Sequence, residues 1–171
     1  MKKKRLKVLL VDDEKEFVES LSERLELRNL DAEVAYDGEQ ALNAVKKGSH
    51  DVMVLDLRMP GIDGIEVLRK VKKTKPDMQV VVLTGHGTEK DEKEAKRLGA
   101  FAYLKKPVDV DTLVGTLHRA WSRLKKSKQA VDTVIMAAAF AQAGEVDIAR
   151  ETMAEFMEEE DKKETVPQGD E

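Results

Sequence analysis

With 171 residues, the chain can build one domain of ordinary size plus an appendage. Its 41% hydrophobic and 37% charged residues suit a globular protein with solvated helix surfaces, and its net charge of −4 lacks the basic footprint of a dedicated nucleic-acid binder. The absence of cysteine excludes disulfides, thiolate metal sites and a cysteine nucleophile, and with no apolar run near the ~20 residues of a membrane span, a cytoplasmic location is expected.

In chain order, Leu6 to Val11 reads as a strand that ends in the acidic triplet Asp12-Asp13-Glu14. Adjacent carboxylates raise one another's pKa unless water or a cation holds them. Phe17, Val18, Leu21, Leu25 and Leu27 then recur at helical spacing. Asp31 to Ala35 is a short second strand, and Asp37-Gly38 turns into a helix with Ala41, Leu42 and Val45 on one face, ending near Gly48.

Val52 to Leu55 is an unbroken apolar run that stops at Asp56, followed by the turn signals Pro60-Gly61 and Asp63-Gly64. A strand apolar on both faces belongs in a parallel sheet covered by helices on each side. Asp56 then lies at the carboxyl edge of the sheet, where open α/β folds bind ligands. Asp63 is positioned to cap a helix carrying Ile65, Leu68 and Val71.

The fourth strand, Gln79 to Thr84, leads into the loop Gly85-His86-Gly87-Thr88, where His86 reads as an exposed loop residue. Glu89 to Leu98 is a helix with only Ala95 and Leu98 to bury, so its packing is expected to be loose. Ala100 to Leu104 is the fifth strand; Lys105-Lys106-Pro107 and a helix from Asp109 to Leu124 follow. Neither His50 nor His118 has a partner visible in the sequence.

Strands alternating with helices imply right-handed β-α-β crossovers and a five-stranded parallel sheet, an α/β fold. All strand ends then point one way, bringing Asp12, Asp13, Asp56, Thr84 and Lys106 to one rim. Two or three carboxylates make an oxygen-lined pocket suited to Mg²⁺, which takes carboxylates, waters and phosphate oxygens. Asp56 can act as a nucleophile toward phosphorus, and a cation and a lysine would offset charge on the transferring oxygens.

These residues carry a resemblance. Val8-Leu-Leu-Val-Asp12-Asp13-Glu14, Val54-Leu-Asp56-Leu-Arg-Met-Pro60-Gly61-Ile-Asp-Gly64, Leu83-Thr84-Gly85-His-Gly87 and Tyr103-Leu-Lys-Lys106-Pro107 together resemble the receiver domain of bacterial two-component response regulators. The resemblance implies the flavodoxin-like fold with strand order 2-1-3-4-5, which is the general order for this class. It implies Asp56 as phosphoacceptor; Asp12, Asp13, Asp56 and the backbone carbonyl of Arg58 as Mg²⁺ ligands; and Lys106 as the active-site lysine. Lys105, by strand alternation, is expected to face the other way. Thr84 and Tyr103 match the hydroxyl and aromatic pair that rearrange on phosphorylation, the positions of Arg58 and His86 face the phosphoryl site, and the Lys106-Pro107 bond is cis in many relatives.

Three regions are expected: a receiver over 4–124, a helical extension over 125–159 and an acidic, disordered tail over 160–171. Lys125 to Lys128 reads as a polar junction between two helices. After it, Val131, Val134, Ile135, Ala138 and Ala141 form one apolar stripe, Gly144 a stop, and Val146, Ala149, Met153, Phe156 and Met157 the face of a second helix in a hairpin. Ala138, Gly144 and Ala149 faintly resemble part of a tetratricopeptide repeat, a unit that cannot bury its apolar face alone.

The expected function is a signalling domain, not a dedicated enzyme. It takes a phosphoryl group from a sensor histidine kinase or histidine phosphotransfer protein onto Asp56 and signals through contacts with a downstream protein, with a homodimer allowed and neither nucleic acid nor membrane as partner. A haloacid-dehalogenase-like phosphatase would carry a second Asp two residues after the nucleophile, where this chain has Arg58. The alternative is a docking scaffold that works without phosphorylation, through the C-terminal hairpin.

Overall fold

The computed structural model describes residues 4–164. Five strands, β1 (Lys7–Val11), β2 (Asp31–Ala35), β3 (Val52–Leu55), β4 (Gln79–Thr84) and β5 (Ala102–Lys105), form one sheet in the order β2-β1-β3-β4-β5. Every neighbouring pair is parallel. The helices are α1 (Lys15–Glu26), α2 (Gly38–Lys47), α3 (Gly64–Thr74), α4 (Glu89–Arg97), α5 (Val110–Gln142) and α6 (Val146–Glu164). This is the flavodoxin-like α/β architecture, with two helices at the C-terminal end.

Strand alternation divides the core between the two faces of the sheet. Leu9, Val11, Met53, Leu55, Val80 and Val82 face a cluster that includes Ala41 and Val45 of α2 and Val67, Leu68 and Val71 of α3. Val8, Leu10, Val52, Val54, Val81 and Leu83 face the other, with Val18, Leu21 and Leu25 of α1 and Leu113, Leu117 and Ala120 of α5. Because β1, β3 and β4 are covered on both faces, their apolar runs are continuous rather than alternating.

Local chemistry sets the helix boundaries. The Asp63 carboxylate accepts from Ile65 N at 2.7 Å, capping α3 as its position predicts, and that of Asp37, read as a turn residue, accepts from Gln40 N at 2.8 Å and caps α2. Thr88 and Asp91 form a reciprocal capping box at α4, which buries only Ala95. The slight burial expected for that helix is found.

Four sequence expectations need correction. Leu27 is 82% exposed and lies beyond the end of α1; it is two residues from Leu25, hence nearly opposite it around the helix. β5 starts at Ala102 rather than Ala100, because Ala100 N closes the α4 terminus on Ala95 O. Lys125 to Lys128 does not break the chain: α5 runs through it as one 33-residue helix. Lysine and serine are polar yet helix-compatible, and neither Pro nor Gly intervenes. Lastly, α6 extends to Glu164, so 160–164 is helical; an i,i+4 pair between Glu158 and Lys162 at 3.8 Å supports that turn. The rest of the predicted tail, 165–171, lies outside the described residues.

Two compact units divide at Leu124 and Lys125. In the second, Gly144 (φ 86°) closes α5: Glu145 N donates to Phe140 O at 2.9 Å and Gly144 N to Ala141 O at 3.2 Å. That double closure needs a left-handed residue, which glycine supplies without a Cβ penalty. The side of α5 hidden here is not the predicted one. Ala137 (7%) and Ala149 (8%) are buried, whereas Val131, Val134 and Ile135 are more than half exposed.

Candidate functional site

The site is built by extending the sheet one residue past its strands. Asp12 N donates to Ala35 O at 3.1 Å, Asp56 N to Val11 O at 2.9 Å and Lys106 N to Thr84 O at 2.9 Å. These bonds hold Asp12, Asp56 and Lys106 at the carboxyl rim, with Thr84 as the last residue of β4. Asp12, Asp56 and Thr84 are buried at 4%, 5% and 1% exposure, although each side chain is polar.

One oxygen from each of Asp12, Asp13 and Asp56 can be chosen so that all lie within 4.8 Å of one another. Hard divalent cations bind oxygen at about 2.0–2.6 Å, so opposite ligands lie about 4–5 Å apart and the trio matches one such ion. All three donors are carboxylates, which suits Mg²⁺ and not a soft metal. Arg58 sits in the β3–α3 loop two residues beyond Asp56, its amide 3.5 Å from Asp56 Oδ1, a weak approach.

Lys106 Nζ reaches across the rim to Asp12 Oδ2 at 2.6 Å and Glu14 Oε1 at 3.2 Å, and lies 4.3 Å from the centre of the Phe17 ring. Asp12 also accepts from Glu14 N at 2.9 Å through its other oxygen. Burial holds the Asp12 carboxyl above its ordinary pKa, helped by the charge on Asp56 and opposed by Lys106. Burial works against the Lys106 ammonium, yet its bond to Asp12 and the charges of Asp12 and Asp56 hold its pKa above the ordinary value. Lys105, by contrast, is exposed.

The Lys106-Pro107 peptide is cis. The Tyr103 hydroxyl is buried with no hydrogen-bond partner among the described residues, and burial followed by the charges of Asp91 and Glu92 pushes its pKa up. A Cβ on Gly87 would lie 1.7 Å from Tyr103 Oη and 2.8 Å from Thr84 Cγ2, so the phenol occupies space that only glycine leaves open. Gly64 has a parallel role: a Cβ there would meet Asp56 O and Leu57 Cα, each at 2.5 Å, so its absence lets the start of α3 lie against the Asp56 backbone.

The Arg58 side chain turns toward the α4 terminus, donating to Asp91 Oδ2 at 2.8 Å and approaching His86 O at 3.5 Å. His86 is exposed, as expected of a loop residue. The carboxylate that accepts from Arg58 thus belongs to the capping box of α4. His50, whose partner the sequence does not reveal, has one: its Nε2 lies 2.7 Å from Glu33 Oε2. His118 lies beside Trp121, ring centroids 6.3 Å apart.

Sequence reasoning brought Asp12, Asp13, Asp56, Thr84 and Lys106 to the same rim. It missed what Lys106 rests on, Glu14 and the Phe17 ring, and the reach of Arg58 to Asp91. It also read Gly64 and Gly87 as turn and loop residues, although the steric limits there are imposed by backbone and by Tyr103.

The family model of the response regulator receiver domain matches residues 8–118. The chain belongs to that family. Like other response regulator receiver domains, it is a signalling domain of two-component systems, and response regulators in general work with histidine kinases. The receiver region is similar to the C4-dicarboxylate transport transcriptional regulatory protein DctD of Pseudomonas aeruginosa, 38% identical over 113 residues that cover 66% of this chain and 24% of that protein. It is also similar to response regulator MprA of Mycobacterium tuberculosis, 33% identical over 131 residues covering 77% and 56% of the two chains. The chain therefore spans only about a quarter to just over half the length of these curated relatives.

Among solved structures, a receiver domain protein from Clostridium thermocellum is 34% identical with a TM-score of 0.67, covering 70% of this chain and 97% of that one. A CheY-like receiver from Methanospirillum hungatei, 24% identical, covers 72% and 99% with a TM-score of 0.71 and supports the fold alone. No helix among the described residues of the receiver or its extension is long and apolar enough to cross a membrane.

Proposed function

We propose that the chain accepts a phosphoryl group from a histidine kinase, or from a histidine phosphotransfer protein, onto Asp56 in a Mg²⁺-dependent reaction, and signals through phosphorylation-dependent protein contacts. The observation that carries this is the juxtaposition of Asp12, Asp13 and Asp56 with Lys106 on the same rim. A carboxylate oxygen of Asp56 attacks phosphorus, the P–N bond of the donor phosphohistidine breaks, and an acyl phosphate forms while the imidazole leaves.

Asp12, Asp13, Asp56 and the Arg58 carbonyl would hold Mg²⁺, which when bound supplies neutralising charge to the phosphoryl oxygens. Lys106 adds a second cation by leaving Asp12 for the new dianion, a short displacement because its Nζ already lies among the acids of the rim. The Thr84 hydroxyl serves as a hydrogen-bond donor to a phosphoryl oxygen. Tyr103 is the switch residue: its unpartnered hydroxyl gains a partner by moving, so a small shift at Thr84 is enough to change its preferred position.

A phosphatase reading is disfavoured because Arg58, where a second catalytic Asp would stand, turns its side chain to Asp91. The docking-scaffold reading draws on the exposed apolar residues of the second unit. Transfer of label from a phosphorylated histidine kinase domain decides between them. The proposal requires label on the native chain, none on Asp56→Asn and none after chelation of Mg²⁺; absence of label from every donor would favour the scaffold.

A further inference from the structure

The distal half of α5 carries an apolar seam that nothing among the described residues of its own unit covers. Ser127, Val131, Val134, Ala138 and Ala141 follow one another at intervals of four and three residues, the heptad rhythm of a helix that packs along another helix. All five are exposed, Val131 at 55% and Val134 at 53%, and Ile135 beside them is exposed at 61%. An adjoining side of the same segment is already used, since Ala137 is buried and Phe140 partly so.

We infer that this seam is a homodimer interface in which two copies of α5 pair antiparallel through residues 127–142. Charge decides the occupant and the direction. Lys126 and Lys128 bracket the N-terminal end of the seam, and Glu145 and Asp147 lie just past its C-terminal end. An antiparallel partner sets the lysines of one copy level with the acids of the other, at both ends, whereas a parallel partner sets lysine against lysine and acid against acid. The patch is therefore self-complementary under a two-fold axis, with Val134 near Ala138 of the other copy and Val131 near Ala141. Alanine at the facing positions leaves room for close approach.

The paired segment is about 24 Å long, which places its area near the low end of stable interfaces, total burial about 1,200 Å², so the dimer should dissociate on dilution. The interface uses only residues of the second unit and does not rest on phosphoryl transfer. Asp56→Asn is accordingly expected to associate like the native chain.

Sedimentation equilibrium of the full chain over a wide concentration range tests this. The native chain and Asp56→Asn should rise from 19.2 kDa to twice that mass, while Ile135→Glu and Val134→Asp stay at the single-chain mass with unchanged helical circular dichroism. Because the chain has no cysteine, introduced thiols report direction: a mixture of Val131→Cys and Ala141→Cys should form the mixed disulfide, and Val131→Cys alone should form none with itself. A native chain that keeps the single-chain mass throughout, or a dimer that survives Ile135→Glu, overturns the interface. Self-linking of Val131→Cys without the mixed product overturns the antiparallel pairing.

Discussion

The tightest steric coupling at the rim lies between Gly87 and Tyr103, and Gly87→Ala perturbs it directly. The added methyl would fall 1.7 Å from Tyr103 Oη and 2.8 Å from Thr84 Cγ2. Gly87 does not occupy the left-handed region, so alanine suits its backbone and the phenol is the part that must yield. Moving the ring outward forfeits part of the about 1.5–3 kcal/mol that burial of a large side chain contributes. The same movement releases a buried hydroxyl that has no partner, recovering about 1–3 kcal/mol. The two terms nearly cancel, so unfolding free energy should change by less than about 1 kcal/mol while Tyr103 changes position.

Urea unfolding measures the first quantity, and NMR of the two tyrosine rings measures the second, since only Tyr36 has to be distinguished from Tyr103. Once exposed, the Tyr103 phenol should also ionise at lower pH than in the native chain, because burial is the main cause of its raised pKa. An unchanged Tyr103 ring together with a stability loss above about 3 kcal/mol would show that the backbone yields instead, and would refute the coupling.

Other perturbations have separate outcomes. Lys106→Met leaves Asp12 and Asp56 facing each other without their cation, and should cost about 3–5 kcal/mol, with Mg²⁺ raising the melting temperature more in the variant than in the native chain. Gly64→Ala drives a methyl into Asp56 O and Leu57 Cα, backbone atoms that cannot rotate away; a loss of about 1–3 kcal/mol in urea unfolding is expected. Arg58→Ala breaks a partly solvated pair worth about 1 kcal/mol or less, and should speed amide exchange in the first turn of α4 relative to α3. Asp91 has its pKa lowered by the Thr88 amide, so its support of α4 is full above the ordinary carboxylate pKa and fades as pH falls through the lowered one; the protection factors of amides in that turn, taken relative to intrinsic exchange at each pH, should fall in acid.

The receiver was legible because its signals are redundant. Val8 to Val11, Val52 to Leu55 and Val80 to Leu83, which lead into Asp12, Asp56 and Thr84, are apolar on both faces, as a doubly covered parallel sheet requires, and parallel topology brings their ends together. The partners of Lys106 were not legible, since a long side chain reaches Glu14 and Phe17 across the rim in ways strand spacing does not encode. Gly87 looked like a flexible loop residue because its constraint comes from Tyr103, distant in sequence.

The extension misled for a different reason. Two stripes run along distal α5, one bulky through Val131, Val134 and Ile135, and one small through Ala130, Thr133 and Ala137. Hydrophobicity favours the first, yet the second is the less exposed. Small side chains are what permit helices to come close, and hydropathy alone does not register that. The lysines at 125–128 likewise signalled a break by polarity, although polarity does not stop a helix.

The most direct test of the phosphoacceptor assignment is intact mass after incubation with Mg²⁺ and acetyl phosphate, for the native chain and for Asp56→Asn. The account predicts a gain of one phosphoryl group on the native chain, dependent on Mg²⁺ and absent from the variant. An equal gain on Asp56→Asn, or none on the native chain at any Mg²⁺ or donor concentration, would contradict it.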